Sequence, residues 1–183
     1  MHSAVLALLL QSTSPVGEDP AVAPPAPPPA PCDTEAHKAF DFWIGQWFVY
    51  PTNSEKQVAR SAISKMSGGC VVRETWMPFK QPGGTSMTML NADTGRWEQV
   101  WIGADGQRVE FEGGIVDGKM ILTGYWNNLG GPGKHALVRM TFTQQEDFSV
   151  RQFGEASTDH GLTWQPSFDF LYRRAPLPVP KEP

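Results

Sequence analysis

The sequence predicts an all-β protein, a closed up-and-down antiparallel β-barrel of about ten strands. Three observations lead there. From residue 42 onward, short apolar-rich stretches alternate with turn signals at near-regular spacing. No helical period of useful length follows Lys38, which removes crossover helices and with them a parallel sheet. Seven Trp and ten Phe stand against only 19% charged residues, a composition suited to an aromatic-filled barrel or sandwich.

The strands are expected near 42–50, 57–66, 70–77, 85–91, 96–103, 107–113, 119–126, 135–143, 148–156 and 163–173. Between them lie Ser67-Gly68-Gly69, Asp93-Thr94-Gly95, Ala104-Asp105-Gly106, Val116-Asp117-Gly118 and Asp159-His160-Gly161. Asp-Gly and Gly-Gly pairs supply the positive φ that tight hairpins need. Consecutive hairpins make a meander, and closing it removes both sheet edges.

The flanks carry no fold. Of 183 residues, about 140 remain for one domain, long enough to bury a core. Residues 1–19 read as a weak signal-peptide-like segment. Ala4 to Leu10 is apolar but too short to span a bilayer, and it lacks a basic n-region, since no Lys or Arg and only His2 stands before it. Residues 20–31 hold seven prolines in twelve positions, a polyproline-II spacer. The barrel domain is placed at 32–174 and a Pro-rich tail at 175–183. Export to the periplasm or medium is the expected localisation. With net charge −4 and no basic run beyond Arg173-Arg174, nucleic acid is not an expected partner.

Four aromatics fall within Phe40 to Trp47 (FDFWIGQW), closing on a Gly45-x-Trp47 step. Further on come Gly69-Cys70-x-x-x-Glu74-x-Trp76 and Trp97-x-x-x-Trp101. The chain closes with Ser157-x-Asp159-x-Gly161-x-Thr163-Trp164, then Tyr172-Arg173-Arg174. On these motifs, over roughly residues 32 to 174, the chain resembles a bacterial family of exported, lipocalin-like (calycin-type) proteins without an established activity. More distantly it is similar to the ten-stranded haem-binding nitrobindins, which use a His near the last strand; His160 is the candidate here. The resemblance implies a short N-terminal helical plug at one end, with Gly45 passing close to it and Trp47 filling the floor.

With that plug in place, the meander brings the start of strand one, the turn before Cys70 and the end of strand ten to the same closed end. Cys32 and Cys70 are then expected to form a disulfide, worth roughly 2–4 kcal/mol. Gly45, Trp47, Arg173 and Arg174 are expected to be structural, with one of the two arginines stacked on the Trp47 indole.

The opposite end gathers Trp76, Trp101, Trp126 and Trp164, with His135 and His160, on longer Gly-rich connections. It reads as a mouth. Glu74, Trp76, Trp97, Gln99, Trp101, Trp126 and Arg151 are expected to face inward as ligand-binding residues. Trp97, Gln99 and Trp101 share one strand face, and a buried Glu74 needs a partner such as Arg151 or Arg139. The competing reading is that the indoles pack or cap the barrel. The expected partner is a small apolar or amphipathic molecule, with no cofactor. The alternatives are a barrel enzyme of isomerase or hydratase type with Glu74 as acid/base, and a haem protein. No Ser-His-Asp order, His-x-x-x-His spacing or phosphate loop is present. Ser157 to Trp164 resembles an Asp-box turn, which argues for architecture.

Overall fold

Ten antiparallel strands close into a barrel in which each pairs with its sequence neighbours and β1 pairs with β10. The structure, a computed structural model, describes residues 32–176; the expected signal-like segment, the spacer and all but the first residues of the tail lie outside them. A one-turn helix α1 (Glu35–Lys38) and a 3-10 turn (Asp41–Trp43) precede β1 (Gly45–Pro51) and β2 (Ala59–Met66). Then come β3 (Val71–Pro78), β4 (Gly84–Leu90), β5 (Trp97–Gly103) and β6 (Arg108–Val116). The chain completes the barrel with β7 (Lys119–Trp126), β8 (Ala136–Gln144), β9 (Val150–Ser157) and β10 (Gln165–Arg174).

The alternation of each strand decides what faces the lumen. Val49 of β1 lies opposite Tyr172 of β10, and both are buried. On β5 the buried side chains are Trp97 and Gln99, and on β8 they are Ala136, Val138, Met140 and Phe142. Outward positions carry ion pairs such as Arg96–Glu112 and Arg108–Glu110.

One end is shut by the segment before β1. Phe40 and Trp43, both fully buried, stack at 5.0 Å and meet Phe142 at 5.2 and 4.8 Å. Trp43 was expected on the first strand. It sits instead in the 3-10 turn, because a single tight turn lets Phe40 and Trp43 insert side by side into the floor. Lys65 of β2 ties this plug to the wall through Asp41 at 2.7 Å, and Thr34 caps α1 by accepting from the His37 amide.

The plug is also tied covalently. Cys32 and Cys70 form a disulfide with Cα atoms 4.9 Å apart across 38 residues of chain. Trp47 donates its indole N–H to the Trp43 carbonyl at 2.9 Å. Arg174, its partner on β10, lies over the indole at 4.4 Å and donates to the Ile44 carbonyl at 3.0 Å. A Cβ at Gly45 would come within 2.5 Å of that guanidinium, so only glycine leaves room for the stack. Arg173 points the other way, pairing with Glu55 and lying over Tyr50 at 4.7 Å.

Candidate functional site

Past the plugged end the lumen opens into a cavity of about 220 Å³, reached from the end where β3, β5 and β7 finish. Residues two apart on a strand share a face. β3 therefore presents Val72, Glu74 and Trp76 inward in ascending order, and β5 presents Trp97, Gln99 and Trp101. Glu74, Trp76, Gln99, Trp101 and Trp126 all line the cavity. Trp101 and Trp126 lie 5.3 Å apart at 42°. On the facing wall Trp76 meets Phe170 at 5.7 Å and Tyr172 at 6.2 Å. Trp126 is fixed by donating its indole N–H to Gln107 at 2.7 Å.

Among the described residues Glu74 is the only ionisable carboxyl in this lining, and it is 6% exposed. Ser61 donates to Oε1 at 2.8 Å and Ser86 to Oε2 at 3.2 Å. Register explains the choice of partners. Both serines face inward on β2 and β4, the two strands flanking β3. Burial pushes the Glu74 carboxyl up to about 7, against the opposing pull of the two serine hydroxyls and Tyr172. Desolvation disfavours the charged form, and hydroxyl donors recover only part of that. Tyr172 is pushed upward in turn, first by burial and then by the Glu74 charge; its hydroxyl donates to Gln152 at 2.7 Å. Gln99 donates to Thr88 at 2.8 Å.

Two of the expected ligand-binding residues do not line the cavity. Arg151 lies on the outer wall, where it makes two hydrogen bonds to Asp169, at 2.8 and 2.7 Å, and stacks on Phe153 at 5.0 Å. On β9 the inward positions run Val150, Gln152 and Gly154, so odd numbers face out. Arg139 is likewise outside, bonded to Glu155, and neither arginine answers Glu74. Trp97 is inward but buried in the floor, 6.0 Å from Phe40. At about 3.3 Å per residue it sits more than 10 Å below Trp101.

The rim also differs from expectation. Trp164 precedes β10 and lies outside, under the Arg139 guanidinium at 4.2 Å, with its indole N–H donating to Gly161. Its turn is braced as an Asp-box-like loop should be. Asp159 accepts from Ser157 at 2.7 Å and from the Thr163 hydroxyl at 2.6 Å, and these bonds, Thr163 foremost, pull its carboxyl down to about 2. His135 and His160 are exposed on rim loops and neither lines the cavity. The residues present therefore do not fit a histidine-ligated haem in the lumen. Among the described residues no three His, Cys, Asp or Glu side chains converge as a metal site would require.

Gln81, Phe111, Met140, Phe142, Gln152, Phe168, Phe170 and Tyr172 complete the lining and were not expected from sequence as ligand-binding residues. For the three on β10 the signal was available, since alternation runs back from Tyr172 through Phe170 to Phe168. Gly154 has no such signal. The Phe168 ring occupies the space a side chain there would need. Two roomier depressions, of about 760 and 500 Å³, are shallow and lie on the outer wall. The first carries the Arg96–Glu112 pair and the second is nearly all apolar.

No protein-family model matches the chain, and the search of curated proteins found no match. The closed ten-strand meander with its plugged end is compatible with a calycin-like fold, and that architecture is what the structure adds to the sequence motifs.

Proposed function

We propose that this protein is an exported, lipocalin-like binding protein that holds a small molecule with an apolar body and one polar end inside its barrel. The observation that carries the proposal is the convergence of Trp76, Trp101 and Trp126 with Glu74 and Gln99 on one cavity. Indoles offer large apolar area with a polar edge, and a few fixed polar groups orient what they enclose. At about 220 Å³ the cavity is below the roughly 300–1,000 Å³ of pockets for drug-sized molecules, so the ligand has one or two rings or a short chain. Export is supported by the Cys32–Cys70 disulfide, because such bonds persist in oxidising compartments. No helix among the described residues is long and apolar enough to cross a membrane.

The test is titration with the uncharged fluorophore 1-aminonaphthalene. Binding should quench indole emission, and Trp101→Ala should weaken it far more than substitution of Glu98, which lies on the outer face of the same strand. Equal effects, or no binding by folded protein, would leave the indoles as packing alone.

A second reading has one observation in its favour: a buried carboxyl held near neutrality is suited to general acid/base work. An isomerase or hydratase would then use Glu74. Because isomers share one mass, the two are separated by releasing the ligand from the protein as isolated and following it by proton NMR with fresh protein added. A single bound species supports a carrier, and an interconverting pair supports an enzyme.

A further inference from the structure

We propose that the barrel selects an organic ammonium ion with a small aromatic or aliphatic body, whose charge is met by Glu74 and the faces of the surrounding rings. This rests on the reading of the lumen as a ligand cavity and names the chemistry of the ligand's polar end.

The composition of the lining carries the proposal. Its apolar part is dominated by rings, with Trp76, Phe170 and Tyr172 on one side and Trp101, Trp126 and Phe111 on the other. Among the described residues its ionisable acid is one carboxyl, and no Lys, Arg or His lines the cavity. An anionic ligand would find no counter-charge among these lining residues. A cation finds the reverse, since ring faces attract ammonium groups within about 6 Å and a desolvated site strengthens the attraction. A lumen for a purely apolar molecule has no use for a buried carboxyl, which costs free energy to keep.

The groups around Glu74 are also arranged for its charged form. From β2 and β4 it receives the Ser61 and Ser86 hydroxyls as donors, one on each oxygen. From β10 it faces Tyr172, whose hydroxyl is held by Gln152 of β9. From β5 comes Gln99, held by Thr88. The plug contributes Phe40 and Trp43, and its Asp41 is occupied with Lys65. Among the described residues Tyr172 is thus the only other titratable group in the lining. In the free protein, burial keeps Glu74 largely protonated up to about neutrality. An ammonium in the cavity supplies the missing counter-charge, favours the carboxylate and releases a proton.

Three ligands with one phenyl ring and different ends test this on the full chain by calorimetry: phenethylamine, 2-phenylethanol and phenylacetate. The amine should bind tightest and phenylacetate weakest. Amine affinity should rise roughly 10- to 30-fold from about pH 5.5 to 7.5, while the alcohol's stays flat. Near pH 6, buffers of different ionisation enthalpy should show proton release with the amine alone. Glu74→Gln should remove both the amine's advantage over the alcohol and the pH dependence of its affinity. The pH and buffer measurements use the native sequence, so they decide even if that variant folds poorly. The alcohol or phenylacetate binding as tightly as the amine, or an amine affinity that ignores pH, overturns the ammonium proposal alone. Binding of none of the three, or of 1-aminonaphthalene, overturns the cavity reading with it.

Discussion

Glu74 sets the chemistry at the scale of single residues, because it is a carboxyl placed where charge is costly. Its ordinary value of 4.5 is raised to about 7. Below pH 4.5 the group is protonated in both folded and unfolded chains, and its full contribution to stability is present. As pH rises from 4.5 to 7 the unfolded chain gives up the proton while the barrel retains it, so stability falls. Above 7 the loss levels off at about 3 kcal/mol. Glu74→Gln keeps the shape and cannot ionise. Measured by denaturant unfolding, the variant should gain about 3 kcal/mol relative to the native sequence between pH 4.5 and pH 8. A stability difference that is the same at both pH values would show that Glu74 is not desolvated as described. Asp169 and Asp159, whose carboxyls are lowered, push the pH dependence the other way, so the difference between variant and parent is the quantity to read.

Trp47 is the residue on which the closed end turns. Its ring is buried, its N–H is bonded to the Trp43 carbonyl and its outer face is covered by Arg174. Trp47→Ala should cost about 3–5 kcal/mol, as for other large buried aromatics. An unchanged melting temperature would remove this residue from the structural account. Arg174→Ala should cost far less, because that side chain is exposed and its stack is worth about 1 kcal/mol or less.

Among the elements, α1 is the one that cannot stand alone. Four residues are far below the length at which a helix is stable in water, and none of its side chains is buried. Its place is fixed by what lies on either side: the disulfide before it and the Phe40–Trp43 insertion after it. Reducing the bridge, or replacing both cysteines by Ser, should lower stability by roughly 2–4 kcal/mol. Free-thiol titration of unreduced, denatured protein should find none. Two reactive thiols would sink the covalent tie.

Strand β9 contributes by what it lacks. Gly154 leaves the space in which the Phe168 ring lies, and that ring is part of the cavity wall. Gly154→Val should displace Phe168 into the lumen and abolish binding of 1-aminonaphthalene, with far-UV circular dichroism unchanged. Retained affinity would mean that the lumen does not depend on this wall. The sequence shows Gly154 only as a glycine within a strand; the reason for it is a ring fourteen positions away across a strand pair.

For the whole molecule, the number of strands, their order and the closed end were legible because each depends on neighbouring residues. Asp-Gly and Gly-Gly turns mark the hairpins, and a meander has one simple way to close. Cys32 and Cys70, and Trp47 and an arginine, could be brought together by counting strand direction alone. Glu74, Trp76, Gln99 and Trp101 followed from alternation once the lumen face of β3 and β5 was assigned, and Trp126 from its place at the end of β7. Where the reading failed, the missing quantity was phase or height. Arg151 is one residue out of phase with the lumen side of β9, and a strand read without its register gives no sign of that. Trp97 has the right phase but the wrong height, since nothing local says how deep the plug reaches. The sequence by itself determined the all-β meander, the turns and the set of inward candidates, because those rest on periodicity and local backbone preference. Only the tertiary structure decided that hydroxyls rather than arginines meet Glu74, and that rings without a counter-cation enclose the cavity. Those facts depend on which faces of distant strands converge across the lumen.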